Sequence, residues 1–161
     1  MIEKYHLKKI ERAIGDITEI NDVLKRGKYL TMALAKDNHP YIVTMSYGFD
    51  ERKNCLYMHA AKEGLKMDII KSNPEVCATV IEDKGYVQRK CSHKYVSCVF
   101  EGDISVVEEL EEKKHGMEIM LNHLEEEPSV TRELHLKNEE AYESFSILKI
   151  VIKVISGKKS L

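Results

Sequence analysis

Alternating apolar and polar positions recur along most of the chain, and each run ends in a cluster of turn residues. The alternation predicts six strands, over 29–35, 41–49, 55–60, 76–81, 95–107 and 145–155. The turns at 36–40 and 50–54 are short, which favours antiparallel pairing of the strands on either side. In the last run every even position from Leu148 to Val154 is apolar, so we expect one of its faces to be fully buried.

Three other segments show the periodicity of a helix. They cover 16–26, 64–72 and 107–124. Asp16 and Glu19 form a capping-box arrangement at the start of the first helix, and Gly27 follows its last turn. The pair Asn73-Pro74 is a stop signal for the second helix, because the residue before a proline is disfavoured in helical conformation.

The remaining segments are polar. We expect 82–93 and 125–138 to be irregular and the basic residues 157–159 to form a frayed tail. Gly102, inside the predicted strand 95–107, indicates a β-bulge. Strands that arrive in hairpins, with helices between them, predict a single α+β domain over 1–161 that is mainly β and is built on an antiparallel sheet or small barrel. Because so small a barrel has little interior volume, a cofactor would bind outside it, at a subunit interface.

Length and charge exclude several classes of protein. The 161 residues fit one domain. The chain has 25 basic and 27 acidic side chains, and this net charge of −2 argues against a nucleic-acid binder, which usually has a basic excess. No apolar run approaches the roughly 20 residues that span a bilayer, so no membrane partner is expected. Four cysteines without a secretion signal favour a cytoplasmic protein with reduced thiols.

The connection after the strand 55–60 carries the first candidate chemistry. This strand ends at His59 and Ala60, and a loop of small residues leads to a helix near Gly64 with Lys66 in its first turn. Free backbone amides at a helix start, together with a lysine, favour phosphate binding. The alternative is an ordinary strand-to-helix connection with a solvated lysine.

A series of matched segments resembles a known family. The segments are 40–43, 47–50, 56–61, 64–66, 73–77 and 95–99, followed by Gly102. Their order and spacing, from about Arg12 to Leu124, resemble the flavin-binding split-barrel proteins related to pyridoxamine 5′-phosphate oxidase. The resemblance is greatest to the subgroup that includes the nitroimidazole-resistance (Nim-type) proteins.

The resemblance implies a six-stranded antiparallel split β-barrel with two longer flanking helices and one short helix. It also implies a homodimer that holds FMN, rather than FAD or haem, at its interface. By the same resemblance, the residues implied to bind the cofactor are Val43, Thr44, Met45 and Ser46 along the ring, His59 and Ala60 at the phosphate-ribityl side, Lys66 at the phosphate, and Ser97 from the same or the partner chain. No catalytic residue and no metal ligand is implied.

The chain also departs from the family pattern. Thr44 and Ser46 stand where the subgroup often has Pro and Asn, so Thr44 adds an N–H and a hydroxyl beside the ring. Leu65 stands where the oxidase has an arginine before its phosphate lysine. The oxidase's C-terminal substrate-binding Trp and Arg have no counterpart, because the chain has no Trp and its last Arg is Arg132. Pyridoxamine-phosphate oxidase activity is therefore not expected.

Three functions remain open. The first is an FMN-dependent oxidoreductase that takes electrons from a small-molecule donor and reduces a small electrophile such as a nitro compound or quinone. The second is a non-catalytic flavin- or haem-binding storage or sensor protein, with His59 or His93 as a haem ligand. The third is a structural dimer with an empty cleft. A zinc site at Cys91, His93 and Cys98, with Cys77 one strand away, has little support, because the paired ligand spacing of such sites is missing.

Overall fold

A computed structural model describes residues 8–161, so the first seven residues of the expected domain lie outside the described part. The strands are β1 (Ala13–Ile14), β2 (Tyr29–Lys36), β3 (His39–Ser46), β4 (Gly48–Asp50), β5 (Cys55–Ala60), β6 (Glu75–Val87), β7 (Ser92–Val106) and β8 (Ser146–Ser160). The α-helices are α1 (Ile17–Arg26), α2 (Leu65–Ser72), α3 (Leu110–Leu124) and α4 (Pro128–His135), and short 3-10 helices cover Ile10–Arg12 and Glu139–Glu143.

The strands form one antiparallel sheet in the order β3-β2-β6-β7-β8-β5-β4, with β1 paired to β8. Strands β3 and β4 lie at opposite ends of this order, yet only Tyr47 separates them in the chain. The sheet must therefore coil until its two ends meet, and β3 comes to lie against β5. Because no ladder joins β3 to β5 in residues 8–161, the coiled sheet is split rather than closed.

The predicted count of six strands is wrong, because the described residues form eight. The predicted strand 41–49 is two strands that break at Tyr47, whose buried hydroxyl donates to the Leu24 carbonyl at 2.6 Å. The short strand β1 was not predicted at all; it pairs with Lys158 and Gly157 at the end of β8.

Three segments predicted to lack regular structure are ordered. Residues 82–93 extend β6 and β7 into a two-stranded arm, with Tyr86 paired to His93. Residues 128–135 form α4. The basic tail continues β8, and Lys159 binds the carboxylate of Glu19 at 2.6 Å. Glu19 therefore does not complete the capping box, although Asp16 accepts the Thr18 amide as an N-cap.

Aliphatic side chains fill the interior of the coiled sheet. Fully buried examples are Leu30, Met32, Leu56, Met58, Leu148 and Ile150. A second cluster lies on the outer side of β5 and β8 beneath α3, where Tyr57, Met120 and Ile147 are buried. The filled interior leaves only the outer surfaces and the split between β3 and β5 open to a ligand. Cofactor binding at a subunit interface stays a prediction. The register shift between Glu101 and Gly102 confirms the predicted bulge.

Two further findings concern the surroundings of the protein. None of the helices formed by residues 8–161 has the length and apolar character needed to cross a membrane. The four cysteines are free thiols, with Cys55 and Cys98 buried and Cys77 and Cys91 exposed. Burial raises the pKa of the Cys98 thiol to about 12, so this sulfur is not a nucleophile at neutral pH.

Candidate functional site

The start of α2 presents free backbone amides. Gly64 precedes the helix with φ 123°, a conformation that favours glycine, and no side chain caps the helix start. A Cβ built on Gly64 would meet no atom within 4 Å, so the approach to the first turn is open. Unpaired amides and the positive end of the helix dipole together suit an anion.

Lys66, in the first turn of α2, is a half-buried cation. Its Nζ atom lies 3.5 Å from the Sδ atom of Met45 on β3, which is a weak acceptor. Burial lowers the pKa of Lys66, and within residues 8–161 no carboxylate forms an ion pair with it. A partly desolvated ammonium without a counter-charge is costly, and an anion bound beside it would offset that cost.

His59 lies close to Lys66, on the outer face of β5. Burial, and then the charge of Lys66, lower the pKa of its imidazole, so the ring is neutral at neutral pH. The ring meets Phe145 edge-on with centroids 4.8 Å apart. No residue of the described chain forms a hydrogen bond with this imidazole, so both ring nitrogens remain available to a ligand. Ala60, the next residue, is buried at the end of β5.

The four residues predicted along the ring lie on β3, at one end of the sheet. Val43 and Met45 are half-buried and pack against the core, whereas Thr44 and Ser46 are exposed on the outer face. The Thr44 hydroxyl is already paired with the Thr31 hydroxyl at 2.9 Å. Since β3 pairs only with β2, the backbone groups on its other edge have no sheet partner among residues 8–161.

Ser97 is not brought to this cluster within one chain. It lies on β7, three strands from β3 in the sheet order. It lines a separate cavity of about 310 Å³ at the base of the arm, together with Ile81, His93 and Tyr95. His93 is held there by Asp83, whose Oδ1 atom lies 2.7 Å from its Nε2 atom. The cavity that Ser97 lines includes none of the other residues predicted to bind the cofactor.

A cavity of about 350 Å³ adjoins His59 beneath α4. Its lining includes His59, Met117, Thr131, His135, Ser144 and Phe145. The sequence predicts no functional role for the last five, and it does not reveal Thr131 and His135 because 125–138 lacks an apolar stripe. One signal was present, since Pro128 stands at the first position of the helix, where proline is favoured.

Within residues 8–161, no group of three or more His, Cys, Asp or Glu side chains is arranged to hold a metal ion. Of the residues considered for zinc, Cys91 is exposed, Cys98 is buried, and the Nε2 atom of His93 is paired with Asp83.

Comparison with family models gives a match to the family described as pyridoxamine 5′-phosphate oxidase over residues 16–159. Comparison with curated proteins finds none that matches.

Solved structures share the fold. A protein from Bacteroides thetaiotaomicron VPI-5482 named for 5-nitroimidazole antibiotic resistance is 22% identical, with TM-score 0.75, over 91% of this chain and 85% of that one. The flavocytochrome Anf3 from Azotobacter vinelandii is 14% identical, with TM-score 0.82, over 99% and 74%. An FAD and haem binding protein from Mycobacterium smegmatis is 17% identical, with TM-score 0.76, over 92% and 73%. Because these sequence identities are low, the three comparisons show a shared fold and nothing more.

Proposed function

The chain belongs to the pyridoxamine 5′-phosphate oxidase family, and from that premise we propose that it is a flavin-dependent oxidoreductase. In this proposal a homodimer binds FMN at its interface, takes electrons from a small-molecule donor and reduces a small electrophile of the nitro or quinone type. The same proposal places the protein in the cytoplasm, where its four free cysteines remain reduced.

The Lys66 ammonium, which forms no ion pair within residues 8–161, is the observation that carries the proposal. A phosphate monoester beside Lys66 would accept hydrogen bonds from the ammonium and from the free amides that follow Gly64. The free edge of β3 offers backbone donors and acceptors to a planar ring. These residues fit FMN, which supplies the redox chemistry when bound, while the chain binds, orients and shields it.

The homodimer is supported by an exposed apolar face. Register pairing places Tyr29, Ile42, Ile81 and Val99 on one outer face of β3, β2, β6 and β7. Their exposed fractions are 60%, 68%, 56% and 37%. Exposed apolar groups on one sheet face are typical of protein interfaces. A second copy bound to this face would also bring its own Ser97 to the site that contains Lys66.

Activity on pyridoxamine phosphate is not proposed. The chain has no Trp, and its last arginine, Arg132, is bound by both carboxylate oxygens of Glu118 at 2.6 Å. No free C-terminal arginine remains to bind a substrate phosphate.

Haem binding is a second candidate function, and one observation favours it. His59, His135 and Met117 line a single cavity, and imidazole and thioether are haem axial ligands. In this version the protein stores or senses flavin or haem without turnover. His93 is a poorer haem ligand, because its Nε2 atom is occupied by Asp83.

The absorption spectrum of the protein as purified separates the two candidates. We expect flavin bands, and quenching of FMN fluorescence when FMN is added to flavin-free protein. A Soret band would support haem instead. Colourless protein that leaves FMN fluorescence unchanged would contradict the proposed function.

A further inference from the structure

The helix α4 covers a space that it does not fill. None of its eight residues is buried, and its apolar side chains Val130 and Leu134 are exposed by 45% and 62%. An isolated helix of this length is not stable in water. It is held instead by the paired bonds from Arg132 to Glu118 on α3 and by the buried Leu136 that follows it. The inner side of α4 therefore forms the roof of a cavity rather than part of a core.

The cavity has the size of a small-molecule site. Its volume of about 350 Å³ lies within the range of roughly 300 to 1,000 Å³ typical of ligand pockets. An apolar cavity of about 150 Å³ already accepts benzene, so there is room for one or two fused rings with substituents.

The chemistry of the lining selects a class of ligand. Met117 and Phe145 supply apolar and aromatic contact, while Thr131 and Ser144 supply hydroxyl groups. Histidine apart, no lining residue carries a charge. The His59 imidazole is neutral at neutral pH, because burial and the charge of Lys66 lower its pKa. Such walls favour an uncharged planar aromatic molecule with hydrogen-bonding oxygens over a phosphate, a sugar acid or a peptide.

The position of the cavity relates it to the candidate flavin site. His59 belongs to both, because it lines the cavity and lies close enough to Lys66 to experience its charge. We propose that this cavity binds a quinone or nitroaromatic molecule and, resting on the proposed function, that it is the electron-acceptor site beside the flavin. Thr131 and His135 on α4 determine its specificity.

Calorimetric titration of menadione, a naphthoquinone, into flavin-free protein tests this proposal. Thr131→Phe fills the cavity from a helix without buried side chains, so the variant should fold. Its menadione affinity should fall by at least about tenfold, which is 1.4 kcal/mol of binding free energy. Val130→Phe, one residue away on the exposed side of α4, is the matched control and should bind menadione normally. His135→Leu should weaken menadione binding without filling the space.

FMN titration of the same variants keeps the two proposals separate. Thr131→Phe should leave FMN affinity within about twofold of the parent. Unchanged menadione affinity in Thr131→Phe, an equal loss in Val130→Phe, or a Soret band in the purified protein would overturn the acceptor site. Parallel loss of FMN affinity would also overturn it, since the cavity would then hold the cofactor. Absence of FMN binding in the parent would overturn the proposed function and the electron-acceptor role, but not the binding of a quinone in this cavity, because the menadione titration uses flavin-free protein.

Discussion

The helices α3 and α4 are neighbours along the chain, but the space beneath them differs. Where α3 meets β4 and β5, the packing is tight. A Cβ on Gly48 of β4 would lie 2.7 Å from backbone atoms of Ile119 and Met120, and a Cβ on Gly116 would lie 2.7 Å from the Tyr57 ring. Beneath α4 there is a cavity of about 350 Å³, and the helix buries no side chain.

The polar groups beneath the two helices differ in the same way. Under α3, Asp50 pairs with His115 at 2.7 Å, and Glu112 accepts from Tyr57 and Lys149. Under α4, neither the His59 nor the His135 ring is hydrogen-bonded by a residue of the described chain. Tight packing and satisfied polar groups indicate a structural role for α3 where it meets β4 and β5. Open space and available imidazoles indicate a ligand-binding role for α4.

The largest predicted effect concerns the packing of α3 against β4. Gly48→Val places a branched side chain against helix backbone, which cannot move as a flexible side chain would. We expect it to lower the free energy of unfolding by about 3 kcal/mol, measured by urea denaturation. Gly15→Val is the matched control, because a Cβ there meets nothing within 4 Å. Equal stability of the two variants would show that α3 does not pack closely on β4.

A second prediction concerns how α4 is held. Arg132→Ala removes both hydrogen bonds to Glu118, so α4 should open locally while the rest of the fold stays intact. We expect faster proteolytic cleavage within residues 125–138 at a nearly unchanged urea midpoint. Arg26→Ala, which breaks the surface pair with Glu82, is the control and should leave cleavage there unchanged. A large fall in the midpoint of Arg132→Ala would mean that α4 is part of the core.

The smallest predicted effect is a pH dependence at the end of α3. His123 bonds the Gly27 carbonyl at 2.5 Å, and burial, which this bond only partly offsets, lowers the pKa of its imidazole from 6.5. As the pH falls below 6.5, the unfolded chain takes up a proton that the folded chain resists. Stability should therefore decline until the pH passes below the folded pKa. His59 contributes with the same sign.

Urea midpoints measured from neutral pH down to about pH 5 would test this dependence. His123→Gln should remove part of the decline. A midpoint that rises on acidification would contradict the assignment.

The sequence predicts the interior of this fold better than its edges. Strands β2 and β5 and helices α1 and α2 lie close to their predicted ranges, because one side of each packs on the core and leaves a periodic pattern. The arm of 82–93 has solvent on both faces, and α4 buries nothing, so neither shows that pattern. The end of β8 is ordered by partners far away in the chain, Ala13 and Ile14, which no local pattern reveals.

The residues of the candidate site also differ in whether the sequence could predict them. The sequence points to Lys66 because a helix start followed by a lysine is a local feature. Thr131 and His135 could not be recognised without α4, and the separation of Ser97 from Lys66 follows only from the strand order.

Comparison of FMN with riboflavin, which lacks the phosphate, tests the central claim most directly. If Lys66 binds the phosphate, the protein should bind FMN at least about tenfold more tightly than riboflavin. Lys66→Met keeps the side-chain stem and removes the charge, so it should abolish most of this difference, whereas Lys71→Met at the exposed end of α2 should preserve it. Equal affinity for the two flavins in the parent, or a difference that survives in Lys66→Met, would contradict the account.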